Sequence, residues 1–235
     1  PVFSFNTYVS AGSAQEVTGI TGIAHILEHM AFKGTAEIGT TDAKKEALAM
    51  KAEDAAFAAL KAERLKGDRA DPAKLAELEQ AFTAAKDAAR AFVVSSEFGQ
   101  IVENNGGRGM NAGTATDDTN YMYSLPSNRL ELWAYLEGTR MSRPVLREFY
   151  TEKDGPVTEE RRMRTDNNPI GRLIEQFQNL MFMANGYHHS TIGYMSDIEN
   201  VSRADCQAYF EKNYVGSNIV VAIVGDVKLA DVRKH

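Results

Sequence analysis

The two ends of the chain carry apolar patterns that are typical of β-strands. Residues Val2 to Val9 alternate apolar and polar side chains, which predicts a strand with one buried face. The run Asn218 to Asp226 is almost continuously apolar before a Gly-Asp turn, and it predicts a buried strand. Between them, Met110 to Leu125 is predicted to form two short extended segments around a polar bend.

Helical spacing of apolar residues appears in three other segments. Ile23, Ile26, Leu27 and Met30 predict a short helix after the turn at residues 18–22, with Thr21 as a candidate cap. Residues 130–141 predict an amphipathic helix with Trp133 in the core. The segment 41–95 is rich in Ala, Lys and Glu and breaks near Asp71-Pro72, a sequence that is typical of a helix start. These features predict a helical hairpin.

Together the elements predict an α+β fold, with a mainly antiparallel sheet, helices packed on it and a protruding helical hairpin at residues 41–95. With 235 residues the chain is long enough for one substantial core, and we expect residues 1–235 to form a single domain. The hairpin is expected to act as a spacer, gate or partner contact, and the core is expected to fold without it.

Composition narrows the functional classes. A net charge of −6 without a Lys/Arg cluster argues against a nucleic-acid-binding surface. No apolar run reaches the 18 or so residues that a membrane helix needs, so no membrane span is expected. Cys206 is the only cysteine, so an internal disulfide is excluded, and a small buried side chain is its simplest interpretation.

The segment His25-Ile-Leu-Glu-His29 carries the clearest chemistry. Residues at positions i, i+3 and i+4 share one face of a helix, so both imidazoles and the Glu28 carboxylate are neighbours. Two neutral nitrogen ligands beside a carboxylate that accepts a proton is the arrangement of a hydrolytic zinc site of the inverzincin type. With 5 His and 32 acids among 235 residues, chance produces this pattern about 0.014 times per chain.

A catalytic zinc ion requires a third protein ligand. Four acidic residues lie between Glu148 and Glu160, and Glu152 and Glu159 are seven residues apart, which places them on one face of a regular helix. Gly155-Pro156 interrupts this segment, so a kink or a new helix start is expected there. The adjacent His188 and His189 are weaker candidates in a loop-like segment.

In this order of motifs the chain resembles the insulinase (pitrilysin) family of zinc peptidases over nearly its whole length apart from the hairpin. The resemblance rests on the turn and metal helix through Thr35, and on five further pieces: Gly107, Asn111-Ala112-x-Thr114 through Tyr121, Glu152 to Arg162, Tyr187 to Ile198, and Tyr214 to Asp226. Some bacterial members are similar in carrying such an insert. The resemblance to bacterial members slightly favours the periplasm over the cytoplasm.

The resemblance implies a role for each candidate residue. Glu159 is the third ligand of one zinc ion with His25 and His29, Glu152 supports the site from behind, and Glu28 is the general base. The resemblance also implies that Asn111, Ala112 and Thr114 lie on an edge strand that binds an extended peptide substrate by backbone pairing. The family builds its chamber from two homologous halves, so a second domain or subunit is the expected partner.

Two other functions remain open from the sequence. A non-catalytic paralogous subunit of a two-half peptidase or processing complex would have the same fold, although the intact His25, Glu28, His29 and Glu159 argue against it. An enzyme similar to S-ribosylhomocysteine lyase also carries a His-x-x-Glu-His helix and takes a cysteine as the third ligand. Cys206 is the only candidate for that ligand.

Overall fold

The computed structural model describes all residues from 1 to 235 and has an α+β architecture, as the sequence predicts. Its single sheet contains β1 (Val2–Val9), β2 (Arg108–Thr114), β3 (Thr119–Pro126) and β4 (Ile219–Gly225). The helices are α1 (Ile23–Met30), α2 (Ala43–Arg64), α3 (Pro72–Arg90), α4 (Glu97–Asn104), α5 (Leu130–Ser142), α6 (Phe149–Glu152), α7 (Thr158–Arg161), α8 (Pro169–Met181), α9 (Met195–Asn200), α10 (Arg203–Asn213) and α11 (Leu229–Lys234). No helix combines the length and the apolar character needed to cross a membrane.

The sheet is antiparallel throughout, with the strand order β2-β3-β1-β4. In β1 the alternating pattern works as predicted, because Phe3, Phe5, Thr7 and Val9 are buried while the residues that alternate with them face outwards. The buried face packs against the helices. The strand order leaves β2 and β4 as the two edges of the sheet.

The prediction that the last strand is buried is wrong. β4 pairs only with β1, and nothing covers its outer side. Val220, Val221 and Val224 are therefore 64%, 42% and 74% exposed. A continuous apolar run is typical of a strand that is covered on both faces. In this chain no element covers the second face of β4.

Helix α1 is seated on the main core, as its apolar spacing predicts. Ile23, Ile26 and Met30 are fully buried, and α1 packs against α10 and β2. The predicted cap is different, however: the residue at the N-cap position is Gly22, and no side chain of that residue can cap the helix. The Thr21 hydroxyl instead donates to Asp197 on α9, at 2.8 Å.

The predicted hairpin is present as α2 and α3, and Asp71 caps α3 through the N–H groups of Ala73 and Lys74. It is closely joined to the body of the domain. The Phe57 ring of α2 packs between Phe82 of α3 and Tyr150 of α6, at centroid distances of 5.6 and 4.4 Å. These side chains belong to the main core.

Two buried arginines also depend on the hairpin. The Arg147 guanidinium donates to Glu46 at 2.8 and 3.1 Å, and Arg203 bonds Glu53. All four side chains are almost completely buried. The expectation that the domain folds without its hairpin is therefore not supported. Deletion of the hairpin would leave the buried guanidinium groups of Arg147 and Arg203 without their carboxylate partners and would expose part of the core.

We expect Glu46→Ala to lower the free energy of unfolding by about 3–5 kcal/mol, the usual cost of removing one partner from a buried ion pair. The control is Glu79→Ala, because Glu79 pairs with Arg64 on the surface and both side chains are about half exposed. An exposed pair is worth about 0–1 kcal/mol. Urea unfolding of both variants measures the difference, and equal losses would contradict an integral role for the hairpin.

Candidate metal and catalytic site

The site forms where α1, α7 and the edge strand β2 meet. His25 and His29 lie one turn apart on α1, with their ring centroids 4.8 Å apart and their planes nearly perpendicular. His25 is 7% exposed, and His29 is partly exposed. The apolar side of α1 fixes the helix on the core, so the two imidazoles hold their relative position.

The acid that joins them is Glu160. Its Oε2 atom lies 3.5 Å from Nε2 of His25 and 3.5 Å from Nε2 of His29. The other carboxylate oxygen, Oε1, accepts from Arg164 at 2.8 Å. One oxygen is thus held by a cation while the other faces both imidazoles.

The prediction of Glu159 as the third ligand is corrected by this geometry. The Glu159 side chain is 61% exposed, points away from the histidines and pairs with Arg162. Among the acids of this segment, Glu160 alone joins His25 and His29 in a cluster able to hold a metal ion, with all ligand atoms within 4.8 Å of one another.

A π-helical turn explains the shift by one residue. Residues Lys153–Val157 form this turn between α6 and α7, and it contains Pro156. Proline has no N–H to donate in the helical ladder, and a π turn accommodates one more residue than an α turn. Glu160, eight residues after Glu152, therefore takes the face that Glu159 would occupy in a regular helix. The Gly155-Pro156 pair was the available signal for Glu160.

The three residues fit a zinc ion in both chemistry and spacing. Two imidazoles and one carboxylate form a donor set that catalytic zinc sites use, and ligands of a tetrahedral zinc ion lie about 3.3–3.4 Å apart. The two distances of 3.5 Å from Glu160 to the histidines match this spacing. Burial, with the nearby His29, lowers the pKa of His25 to about 4, so its imidazole is neutral and free to bind a metal at neutral pH.

Glu152 contacts His29 on the side away from Glu160. Its Oε1 atom lies 3.1 Å from Nδ1 of His29, so a proton on Nδ1 directs the lone pair of Nε2 towards Glu160. Lys33 lies 2.8 Å from the other oxygen of Glu152. Burial opposes the charge on Glu152, but the bonds from His29 and Lys33 outweigh it and lower the pKa of Glu152 to about 2.

Glu28 stands beside the three candidate ligands without joining them. Its Oε2 atom accepts from the Thr114 hydroxyl of β2 at 3.1 Å. Burial raises the pKa of Glu28, while His29 and Thr114 act in the opposite direction. A carboxylate with an elevated pKa next to a metal site is suited to accept and return a proton.

The predicted substrate strand is the open edge of the sheet. β2 pairs only with β3, and Asn111 on it is exposed while Ala112 and Thr114 are half-buried. The Thr114 hydroxyl donates to Glu28, and this bond connects the edge strand β2 to the candidate base. Beside His29 and β2 lies a cavity of about 420 Å³, and only four of its 13 lining residues are apolar: Phe32, Val93, Val94 and Met110.

The other candidate ligands lie elsewhere. Cys206 is fully buried in the core, and burial raises the pKa of its thiol. It takes no part in the cluster formed by His25, His29 and Glu160. His188 and His189 also lie outside that cluster, so the lyase-like alternative with a cysteine ligand finds no support in the geometry.

Comparison with known proteins supports a peptidase. The family model described as Insulinase (Peptidase family M16) matches residues 3–61. The zinc protease PqqE of Helicobacter pylori is 30% identical over 240 residues, which cover 100% of this chain and 41% of the relative. The chain thus spans well under half of that protein.

Solved structures agree with this result. A protease from Helicobacter pylori is 29% identical with a TM-score of 0.71, over 99% of this chain and 43% of that chain. The first half of the periplasmic protease PqqL from Escherichia coli shares the fold, with 19% identity and a TM-score of 0.65, over 99% of this chain and 39% of that chain.

Proposed function

Because the chain belongs to the insulinase family (peptidase family M16), we propose that it is the metal-binding half of a zinc-dependent endopeptidase. The substrates would be peptides or small unfolded proteins. The observation that carries the proposal is the convergence of His25, His29 and Glu160, with Glu160 3.5 Å from each histidine, all three ligand atoms within 4.8 Å of one another, and Glu28 beside them.

Each residue then has one task. His25, His29 and Glu160 would hold one zinc ion, and Glu152 orients His29 through its Nδ1 atom. A zinc ion held there would lower the pKa of its bound water molecule to about 7 and would polarise the peptide carbonyl. Glu28 would take the proton from that water and return it to the leaving amine. Thr114 fixes the direction of the Glu28 carboxylate.

The edge strand β2 offers a way to align the substrate. An extended peptide can add to the free edge by backbone hydrogen bonds, which requires no particular sequence. We propose that Asn111 and Ala112 pair with the substrate in this way, next to the cavity beside His29. That cavity is lined by charged as well as apolar side chains, so it can accept the side chain of a bound peptide without selecting for an apolar one.

A second half is part of the proposal. The relatives are more than twice as long as the aligned region, and this chain covers only 39% of a solved structure that is itself described as a first half. Helix α8 presents a stripe of apolar residues at heptad spacing, each more than half exposed: Ile170, Leu173, Ile174, Phe177, Leu180 and Met181. Its buried position is instead the polar Glu175, bonded to Arg161. Because exposed apolar stripes of this kind are typical of interaction surfaces, we propose that the second half covers this stripe.

We expect the isolated 235-residue chain to be a poor peptidase that is stimulated by its second half. An open groove lacks the positioning that closure provides, and loss of one oxyanion donor alone costs about 10²–10³ in turnover. A quenched-peptide assay of the chain alone and mixed with the second half measures the stimulation. Full activity of the chain alone would contradict the two-half proposal, and no activity in either sample would favour a non-catalytic half.

The same assay tests the α8 stripe. Phe177→Glu places a charge in the centre of the stripe and is expected to weaken the stimulation. The control is Lys212→Glu, at an exposed position of α10, which should leave the stimulation unchanged. Equal stimulation of both variants would show that another surface binds the second half.

For the location we propose the bacterial periplasm. The support is that a structure of the same fold is described as a periplasmic protease. Fractionation of the producing cells, followed by detection of the protein, tests this proposal.

A further inference from the structure

The metal helix α1 begins without a cap of its own. The residue at its N-cap is Gly22, with φ +88° in the left-handed region. A Cβ atom there would lie 2.5 Å from the Ile192 carbonyl oxygen, so the backbone needs glycine at this position. The first N–H groups of a helix have no partner within the helix, and here no neighbouring side chain of the usual kind satisfies them.

The carboxyl group of Glu16, six residues before Gly22, satisfies two of these N–H groups. Its Oε2 atom accepts from the Gly22 N–H at 2.8 Å, and its Oε1 atom accepts from the Ala24 N–H at 2.8 Å. Both bonds are buried, and Ala24 directly precedes His25 in the chain. The dipole of α1 favours the ionised form of this carboxyl group.

The surroundings of Glu16 seal it from solvent. Nδ1 of His189 lies 3.6 Å from Oε2 of Glu16, and both side chains have no exposed surface. The Nε2 atom of His189 is buried and has no hydrogen-bond partner. Burial raises the pKa of Glu16 to about 8, although the N–H groups of Ala24 and Gly22 act against this shift. Burial of a carboxyl group lowers the stability of the fold unless the group is hydrogen-bonded, as Glu16 is to the N–H groups of Gly22 and Ala24.

A second carboxylate holds the same loop at a different point. Asp197 accepts from the N–H groups of Gly19 and Thr21 and from the Thr21 hydroxyl, at 2.8–3.1 Å. It makes none of the bonds to Gly22 and Ala24. The loop is therefore anchored by Asp197, and the first turn of the metal helix is anchored by Glu16.

We propose that Glu16 is a positioning residue for the metal site, which fixes the first turn of α1 and thereby the direction of the His25 imidazole towards Glu160. This inference rests on the proposed zinc function for its effect on metal binding. Its structural part, the order of the first turn of α1, stands without the metal.

The test compares Glu16→Gln with Asp197→Asn in the full chain. Each substitution replaces a carboxyl group that binds the loop before α1, but only the first weakens bonds to α1 itself. In metal-free protein, we expect hydrogen exchange of the Ala24 and Ile26 amides, which bond Glu16 and the Gly22 carbonyl, to be at least about tenfold faster in Glu16→Gln, since exchange reports local opening. The Asp197→Asn variant should leave these amides unchanged.

The second readout is metal affinity, measured by competition with a chromophoric chelator. Supporting partners of metal ligands contribute about 10–100-fold in affinity, so Glu16→Gln should weaken zinc binding by that factor and Asp197→Asn should not. The milder Glu16→Asp variant keeps the charge with a shorter reach, and an intermediate loss is expected. It replaces Glu16→Gln in both measurements if the latter does not fold.

The outcomes separate the two proposals. Unchanged exchange at Ala24 and Ile26 in folded Glu16 variants would overturn the positioning role, and so would zinc affinity equal to that of the wild type. Faster exchange in a chain that binds no zinc even as wild type would instead contradict the proposed metal function.

Discussion

Glu28→Gln is expected to keep zinc at near-native occupancy and to lower peptide turnover by about 10²-fold or more. General acid–base catalysis is typically worth about 10²–10⁴ in rate, and the glutamine amide cannot accept the proton. Zinc should remain because the cluster able to hold it consists of His25, His29 and Glu160. The Thr114 hydroxyl can still donate to the amide oxygen, so the local fold is preserved.

The measurement combines zinc content with quenched-peptide turnover by the chain and its second half. Glu159→Gln is the matched control, because it removes the same charge from an exposed position of α7. It should retain both zinc and activity. Normal turnover in Glu28→Gln would rule out its role as the base, and zinc loss without unfolding would make it a ligand.

Glu160→Gln is expected to weaken zinc binding by more than about 100-fold. The loss should exceed the 10–100-fold that supporting partners contribute, because Glu160 contacts both histidines directly. Glu152→Gln should fall within that smaller range, since Glu152 acts on the site only through His29. Competition with a chromophoric chelator gives all the affinities on one scale.

The ranking of the glutamates is the decisive feature of this experiment. We expect Glu160→Gln to lose the most affinity, Glu152→Gln an intermediate amount, and Glu159→Gln almost none. If Glu159→Gln lost the most, the chain would adopt a regular helix between Glu152 and Glu160, and the π turn would be absent. Circular dichroism of each variant controls for loss of fold.

The metal helix could be predicted from sequence because its signals are local. The spacing of His25, Glu28 and His29 fixes their common face once a helix is assumed, and the apolar residues between them set the opposite face. The third ligand could not be predicted in the same way. Its register depends on one extra residue in the turn around Pro156, and sequence spacing alone assigns the face to Glu159.

Contacts between segments that are far apart in the sequence were the other feature that could not be predicted. The helical hairpin was clear from its composition and from Asp71-Pro72, but nothing local shows that Glu46 and Glu53 neutralise Arg147 and Arg203. The exposure of β4 also follows from strand order and not from its apolar composition. Glu16 was missed because its bonds to the start of α1 form across a loop.

The most direct test of the account is an anomalous difference map at the zinc absorption edge, from crystals of the zinc-loaded chain. The account predicts one peak at about 2.0–2.2 Å from Nε2 of His25, Nε2 of His29 and a carboxylate oxygen of Glu160. Glu28 should stand beside the ion without binding it. A peak bound by Glu159 or Glu28, or no peak between the two histidines, would contradict the proposed site.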